Sequence, residues 1–403
     1  MQRVPLNDER KSTKLSIAGW LLLVLSLTGS ALFDPGSLEV NAEPQISDSE
    51  PPHSSFSVQH SSLLSERHLA NIRQLTFGNK NAEAYFSFSG NKLVFQSTND
   101  WREQTQATNK TDGGKGLGCY QMYVMDLESE AIKLVSTGVG ATTCGYFFPG
   151  DRRVLYSSTH LVAPNCPPKP KMEGKYRWAL DDYDIFSVRL DGQQIQRLTV
   201  TPGYDAEATV SPDGKMIIFT SVRDGDLDLY AMNLDGTHIR RLTDDVGYDG
   251  GAFFSPDSRR IVYRASHPRE PAAVEEYKTL LAQKLVEPSQ LELFVMQADG
   301  TGKRQVTANG ASNFAPFFHP DGRRIIFSSN QQGQLPGGPA AGPPTFHLYL
   351  IGDDGGGLEQ VTFEGGFNSF PMFSPDGTKL VWISDRHAAS RGEFNVFLAD
   401  WIP

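Results

Sequence analysis

The sequence predicts an all-β chain: a six-bladed β-propeller of four-stranded antiparallel blades, closed by its own N-terminal strand, with one short helical insertion. Three observations carry this. A turn-and-strand phrase, clearest at Ser211-Pro-Asp-Gly-Lys-Met-Ile-Ile-Phe-Thr-Ser221, recurs along the chain. Each copy is followed by an alternating strand ending in a turn and then by a short Leu-Thr strand. The last unit lacks a Leu-Thr strand, while the chain opens with one that has no unit before it, Ala70-Asn-Ile-Arg-Gln-Leu-Thr76.

The chemistry of the phrase dictates its shape. Proline presets φ at the first central turn position, Asp and Gly suit the later ones, and the branched and aromatic run that follows wants a half-buried sheet. Copies stand at Phe254–Tyr263, Phe318–Phe327 and Phe373–Trp382, with eroded ones at Phe86–Phe95 and Phe147–Tyr156. The third strand alternates apolar and polar residues, as in Asp228-Leu-Tyr-Ala-Met-Asn-Leu-Asp-Gly236, and Asp-Gly between such runs is a hairpin signal. The short fourth strand repeats as Arg197-Leu-Thr199, Arg241-Leu-Thr243, Gln305-Val-Thr307 and Gln360-Val-Thr362. A fixed repeat across 403 residues argues for one closed array rather than two domains. Placing the orphan strand beside Glu393–Trp401 closes the ring and leaves no exposed edge.

These residues resemble the TolB-type propeller family, whose repeats carry the Ser-Pro-Asp-Gly-Lys turn, the Leu-Tyr-x-Met-Asn-x-Asp-Gly strand and the Leu-Thr strand. The resemblance covers roughly residues 70–401 and implies a fold more than a function, because propellers serve many roles.

Two further segments are expected ahead of this body. Residues 1–42 read as a signal peptide or N-terminal membrane anchor: Arg3, Arg10, Lys11 and Lys14 precede an apolar stretch from Leu15 to Phe33, and acids follow it. Residues 43–69, rich in Ser, Pro, Glu and His, read as a disordered linker to the propeller at 70–403. The mature body is thus expected in the periplasm or otherwise exported, touching a membrane only through its N-terminal segment. A net charge of −10 without a basic cluster beyond the N-terminus argues against nucleic acid. The expected propeller is monomeric.

In an up-and-down meander the Ser-Pro-Asp-Gly and Asp-Gly turns share one face. The insertions between second and third strands, at 98–118, 159–182, 266–290, 330–346 and 385–392, gather on the other. Only the third unit keeps a short one, at 222–226. Long loops on a rigid face are where binding usually lives. Two polar sets are expected there. The first, at the channel mouth, is Glu83, Asp205, Glu207, Asp249, Asn313 and Asn368. It reads either as a carboxylate-rich mouth for a cation or basic peptide, or as side chains closing Asx-type turns. The second, leaving the second strands, is Asn99, His160, Arg223, His267, Gln331, Arg386 and His387, which offers either metal ligands or loop hydrogen bonds. No metal is assigned, and no cofactor beyond room for a cation in the channel. The repeated Asp213, Asp257, Asp321 and Asp376 read as turn residues, and Asp224-Gly-Asp226-Leu-Asp228 lacks the downstream Glu of a calcium loop.

Three cysteines are too few for a disulfide scaffold. Cys144 and Cys166 are the candidate pair, stapling the proline-rich 159–182 insertion in an oxidising compartment. In the fourth unit, Val274, Tyr277, Leu280, Leu281 and Leu285 have helical spacing stopped by Pro288, which predicts a short amphipathic helix on the propeller face. Gly333–Pro344 reads as a mobile tract.

No nucleophile elbow, zinc helix or phosphate-cradling glycine loop is present. No catalytic residue is therefore assigned. The favoured function is a non-catalytic scaffold binding an envelope protein or peptide. The alternatives are a carbohydrate-active lyase or hydrolase with a channel metal, and a cation or small-molecule sensor.

Overall fold

The computed structural model describes residues 65–101, 116–170, 176–331 and 344–403. The expected signal or anchor segment, most of the expected linker and all but the last residue of the 333–344 tract lie outside the described residues. Six four-stranded antiparallel sheets form the blades. Blade 1 comprises Asn81–Phe86, Lys92–Asn99, Gly116–Asp126 and Ile132–Leu134; blade 2, Thr142–Phe147, Arg153–Ser158, Asp184–Arg189 and Gln196–Arg197. Blade 3 comprises Asp205–Val210, Met216–Ser221, Asp228–Asn233 and Arg240–Arg241; blade 4, Tyr248–Phe254, Arg260–Ser266, Glu292–Gln297 and Arg304–Gln305. Blade 5 comprises Asn313–Phe318, Arg324–Ser329, His347–Gly352 and Glu359–Gln360. Blade 6 takes Asn368–Phe373, Lys379–Ser384 and Asn395–Trp401 from the C-terminus and Leu69–Gln74 from the N-terminus. The six first strands pack one against the next around the axis.

The closing strand pairs as the repeat required, with Arg73 opposite Leu398 and Gln74 opposite Phe397. It starts earlier than composition indicated. Glu66, Arg67 and His68, expected in the linker, are held in place: Glu66 by Arg386, Arg67 by Glu359, and His68 stacked on Trp401 at 4.8 Å.

Two repeated devices explain the motifs. The threonine of each Leu-Thr accepts a hydrogen bond from the backbone N–H of the third strand, as Thr243 Oγ1 does from Leu229 at 2.9 Å and Thr76 Oγ1 from Val396 at 2.8 Å. That ties the shortest strand to its neighbour where few ladder bonds exist. The aromatic ending each turn phrase stacks on an aromatic of the third strand: Phe95 on Tyr123, Tyr156 on Phe186, Phe219 on Tyr230, Tyr263 on Phe294, Phe327 on Tyr349 and Trp382 on Phe397, at 5.5–6.0 Å. Cross-strand aromatic pairs are worth about 0.5–1.5 kcal/mol each beyond burial. The repeated aspartates close their turns, Asp213 accepting from Ser211 Oγ at 2.7 Å and from the Lys215 N–H at 3.2 Å. At Gly236 (φ +86°) a Cβ would lie 2.5 Å from the Leu198 carbonyl, so the Asp-Gly turn admits no side chain there.

The helix forms at Pro271–Ala282, with proline in its first turn. Leu285, expected within it, instead belongs to Leu285–Val286, which pairs with Trp178–Ala179 of the blade 2 insertion. The insertions of blades 2 and 4 thereby join in a strap. The Tyr277 hydroxyl of the helix donates to Asp226 and, at 2.8 Å, to the Gly247 carbonyl, seating the helix on blade 3's short connection.

Candidate functional site

Every first strand carries the same irregularity. Its pairing register slips near the start, and the third residue (the fourth in blade 4) adopts a left-handed backbone: Glu83, Cys144, Glu207, Gly251, Ala315 and Phe370, with φ between +49° and +57°. Such a bulge re-aims a side chain. Five of the six are not glycine, although that conformation disfavours other residues. Their side chains line a small cavity on the channel axis.

The expected mouth set therefore divides between two layers. Asp205, Asp249, Asn313 and Asn368, with Asn81 and Thr142, head their strands and are fully buried. They bind their own blades. The hydroxyls of Ser97, Ser329 and Ser384 donate to Asn81, Asn313 and Asn368 at 2.6–2.9 Å. Arg223 donates to both Asp205 oxygens at 3.0 and 3.1 Å, and His267 Nε2 lies 2.9 Å from Asp249 Oδ1. Burial pushes the Asp205 and Asp249 carboxyls up, against the pull of these partners. Burial disfavours the charged His267, but its bond to Asp249 outweighs that and raises it.

The second expected set sits above the aromatic pairs, one group per blade. Arg223 lies over Phe219 and Tyr230, Arg386 over Trp382 and Phe397, His160 over Phe186 and His267 over Phe294. Asn99 accepts from Asn79 Nδ2 at 2.5 Å, and Gln331 accepts from Asn309 Nδ2 at 3.0 Å. His387 is exposed, edge-on to Phe397. These groups do not converge, and among the described residues no three His, Cys, Asp or Glu side chains are grouped to hold a metal. Asp224, Asp226 and Asp228 likewise turn to separate partners, Tyr230, Tyr277 and Arg241.

Glu83 and Glu207 belong to the axial layer. Glu207 is fully engaged: it accepts from Arg264, from Tyr248 Oη at 3.0 Å, from the Gly251 N–H at 2.9 Å and from Thr220 Oγ1 at 2.8 Å. Arg264 comes from a second strand, where it lies opposite Gly250. It reaches the axis only because blade 4 has Gly250-Gly251; a Cβ on Gly251 would lie 2.6 Å from its Nη1. Glu83 is less well served, with Gln96 Nε2 at 3.4 Å and the Cys144 thiol as its hydrogen-bond donors. Burial raises it to about 7, the thiol bond opposing and Glu207's charge adding to the rise. Burial, then the charges of Glu83 and Glu207, push the Cys144 thiol well up.

Two residues deeper, the layer Tyr85, Tyr146, Thr209, Phe253, Phe317 and Met372 closes the channel. Tyr85 of blade 1 touches Phe253 of blade 4 across the axis, centroids 5.4 Å apart. The cavity is thus a cup of about 30 Å3, floored by aromatics and walled by Glu83, Cys144, Glu207 and Arg264. Trp178 of the strap lies over the Arg264 guanidinium at 5.1 Å and marks the loop-side mouth.

The expected Cys144–Cys166 bridge is replaced by Cys119–Cys166, with Cα atoms 5.5 Å apart and Cys144 free. The left-handed bulge turns Cys144 into the cup, while the insertion doubles back over blade 1, bringing Cys166 beside Gly118 and Cys119. Sequence reasoning also missed Arg264, Trp178 and the role of Cys144. Counting three residues ahead of Phe86 and of Val210 would have aligned Glu83 with Glu207 and Asn81 with Asp205. Nothing in the pattern signals the reach of Arg264 except the Gly-Gly pair in blade 4.

Six four-stranded sheets around one axis, with bulged inner strands, define a six-bladed β-propeller. The chain belongs to the TolB β-propeller family: the model described as TolB beta propeller domain matches residues 179–274 and 276–397. An uncharacterised protein of Agrobacterium fabrum is 28% identical over 93 residues, 23% of this chain and 28% of that protein's length. Among solved structures, a protein assigned as a TolB from Agrobacterium tumefaciens superposes with a TM-score of 0.50 at 19% identity, covering 81% of this chain and 91% of that one. A gluconolactonase from Xanthomonas campestris reaches 0.50 at 13% identity, covering 83% and 91%. At these identities the likeness is one of fold.

Proposed function

We propose that this chain is a non-catalytic scaffold of the cell envelope that binds a protein or peptide through its long-loop face and channel mouth. The observation that carries the reading is an apolar tip on blade 2. Leu161 and Val162 are 56% and 57% exposed, and Val139 beside them 48%. They are not a floppy loop. The Gly140 N–H donates to the Pro164 carbonyl at 2.7 Å, the Val162 N–H to the Thr159 carbonyl at 2.9 Å, and the Cys119–Cys166 bridge anchors the segment beyond. Apolar side chains held outward on a braced turn suit docking, because little ordering cost remains on binding. Membership of the TolB family is in keeping with an exported binding role. Among the described residues no helix is long and apolar enough to cross a membrane.

The test is crosslinking and pull-down from an envelope fraction with the full chain as bait. A partner captured by the wild type should be lost with Leu161→Asp/Val162→Asp and kept with Lys215→Glu, a charge reversal on the opposite face. Equal loss or equal retention in both variants would overturn the reading.

A further inference from the structure

We infer that the channel cup binds a primary ammonium group, supplied either by a small linear amine or by a lysine side chain of a docked partner. The inference deepens the proposed function and rests on it only for the lysine source.

Arg264 is held by its neighbours: it pairs with Glu207 through Nη2, donates through Nε to Tyr248 Oη at 2.9 Å and lies against the Trp178 and Tyr248 rings. Glu207 accepts from four donors. That pair is neutral overall. What remains is the Glu83 carboxyl, whose nitrogen donor stands at a long 3.4 Å although a carboxylate can accept several hydrogen bonds. Beside it is Tyr85, 5% exposed, whose hydroxyl has no hydrogen-bond partner among the described residues. With only the Cys144 thiol and a long amide contact as its donors, Glu83 keeps acceptor capacity beside the Tyr85 hydroxyl, and the two line one cavity, which points to a ligand that brings donors.

The walls select its charge and shape. Tyr85, Phe253 and Phe370 line the same space, and aromatic faces attract compact cations. Above about pH 7, where Glu83 is ionised, a neutral alcohol would leave its charge unbalanced and an anion would be repelled by it. A divalent metal wants about six oxygen ligands, and one free carboxylate cannot supply them. A water site needs roughly 10–15 Å3, so a cup of about 30 Å3 takes an ammonium head and its first methylene. A longer chain must leave through the mouth beside Trp178, which favours an unbranched tail.

Ligand-observed NMR on the full chain tests this with n-butylammonium chloride, 1-butanol and tetramethylammonium chloride as probes. Saturable binding is expected for n-butylammonium alone. Glu83→Gln should weaken it about ten-fold, and Tyr85→Phe, which removes one hydroxyl, roughly three-fold, with melting temperatures recorded alongside. Paired peptides Ac-Gly-Lys-Gly-NH2 and Ac-Gly-norleucine-Gly-NH2 separate the sources. Tighter binding of the lysine peptide than of the free amine assigns a partner's side chain; weaker or equal binding assigns a small amine. No saturation by n-butylammonium, equal affinity in folded Glu83→Gln, or equal binding of 1-butanol overturns the inference. If the amine fails while pull-down still depends on Leu161 and Val162, the cup assignment falls and the docking face stands. If the amine binds but the pull-down fails, the reverse holds.

Discussion

Glu66 and Arg386 form a two-pronged ion pair, at 2.8 and 3.0 Å, between the lead into the N-terminal strand and the loop after the second strand of blade 6. Arg386 is almost wholly buried. Burial would raise the Glu66 carboxyl, but Arg386 and the backbone N–H groups of Phe363 and Glu364 hold it below its usual range. The pair is a latch on ring closure. Glu66→Ala leaves a buried guanidinium without its partner and should cost about 3 kcal/mol by urea denaturation. Adding Arg386→Ala should cost less than the sum of the two single changes, the signature of coupling in a double-mutant cycle.

Gly251 is required by a neighbour rather than by its own dihedral angle. Ala315 and Phe370 adopt the same left-handed conformation at the equivalent position, so alanine at 251 is tolerable to the backbone. Its Cβ would instead displace Arg264 and leave Glu207 buried beside an empty site. Gly251→Ala should therefore cost roughly 2–4 kcal/mol, while Ala315→Gly changes stability by less than about 1 kcal/mol. Parallel urea titrations check both.

Glu83 makes stability depend on pH in a defined direction. Its folded carboxyl titrates near 7, above an ordinary value of 4.5, so the folded state holds the proton more tightly than the unfolded one. The favourable term is full below about pH 4.5, fades as pH rises to 7, and is gone above that. Water reaching the cup reduces its size, and about 1–2 kcal/mol between pH 5 and pH 8 is expected. Glu83→Gln should flatten that fall. Denaturation midpoints of wild type and variant at the two pH values give the difference directly, with other titrating groups cancelling.

The cysteine pairing predicts a thiol count. Denatured without reductant, the chain should show one thiol, from Cys144, and three after reduction. Cys166→Ser should destabilise by roughly 2–4 kcal/mol and loosen the Leu161–Val162 tip, seen as faster proteolysis within 159–170. Cys144→Ser should leave that cleavage unchanged.

The ring was legible because each blade repeats its own turn chemistry and aromatic pair, so the position of Leu69–Gln74 beside Asn395–Trp401 followed from a missing strand at one end and a spare one at the other. The candidate site was less so. Asp205 and Glu207 stand two residues apart and look alike in sequence, yet one binds its own blade and the other faces the axis, because a bulge between them reverses the alternation of an ordinary strand. The Cys119–Cys166 bridge depends on a loop path that no local preference encodes. Leu285 kept helical spacing but was claimed by Ala179 of another insertion, a long-range contact outweighing local periodicity.

The strand that seals blade 6 precedes the other five blades in sequence, yet its partner lies at the far end of the chain. During synthesis it must wait unpaired while blades 1 to 5 emerge, and the ring cannot lock until Asn395–Trp401 has left the ribosome. Assembly is therefore late and all at once, with a long loop-closure step governing its rate. A nascent chain stalled before Asn395 would leave both Leu69–Gln74 and Lys379–Ser384 without the strand that pairs them, the condition in which edge-to-edge aggregation competes with folding.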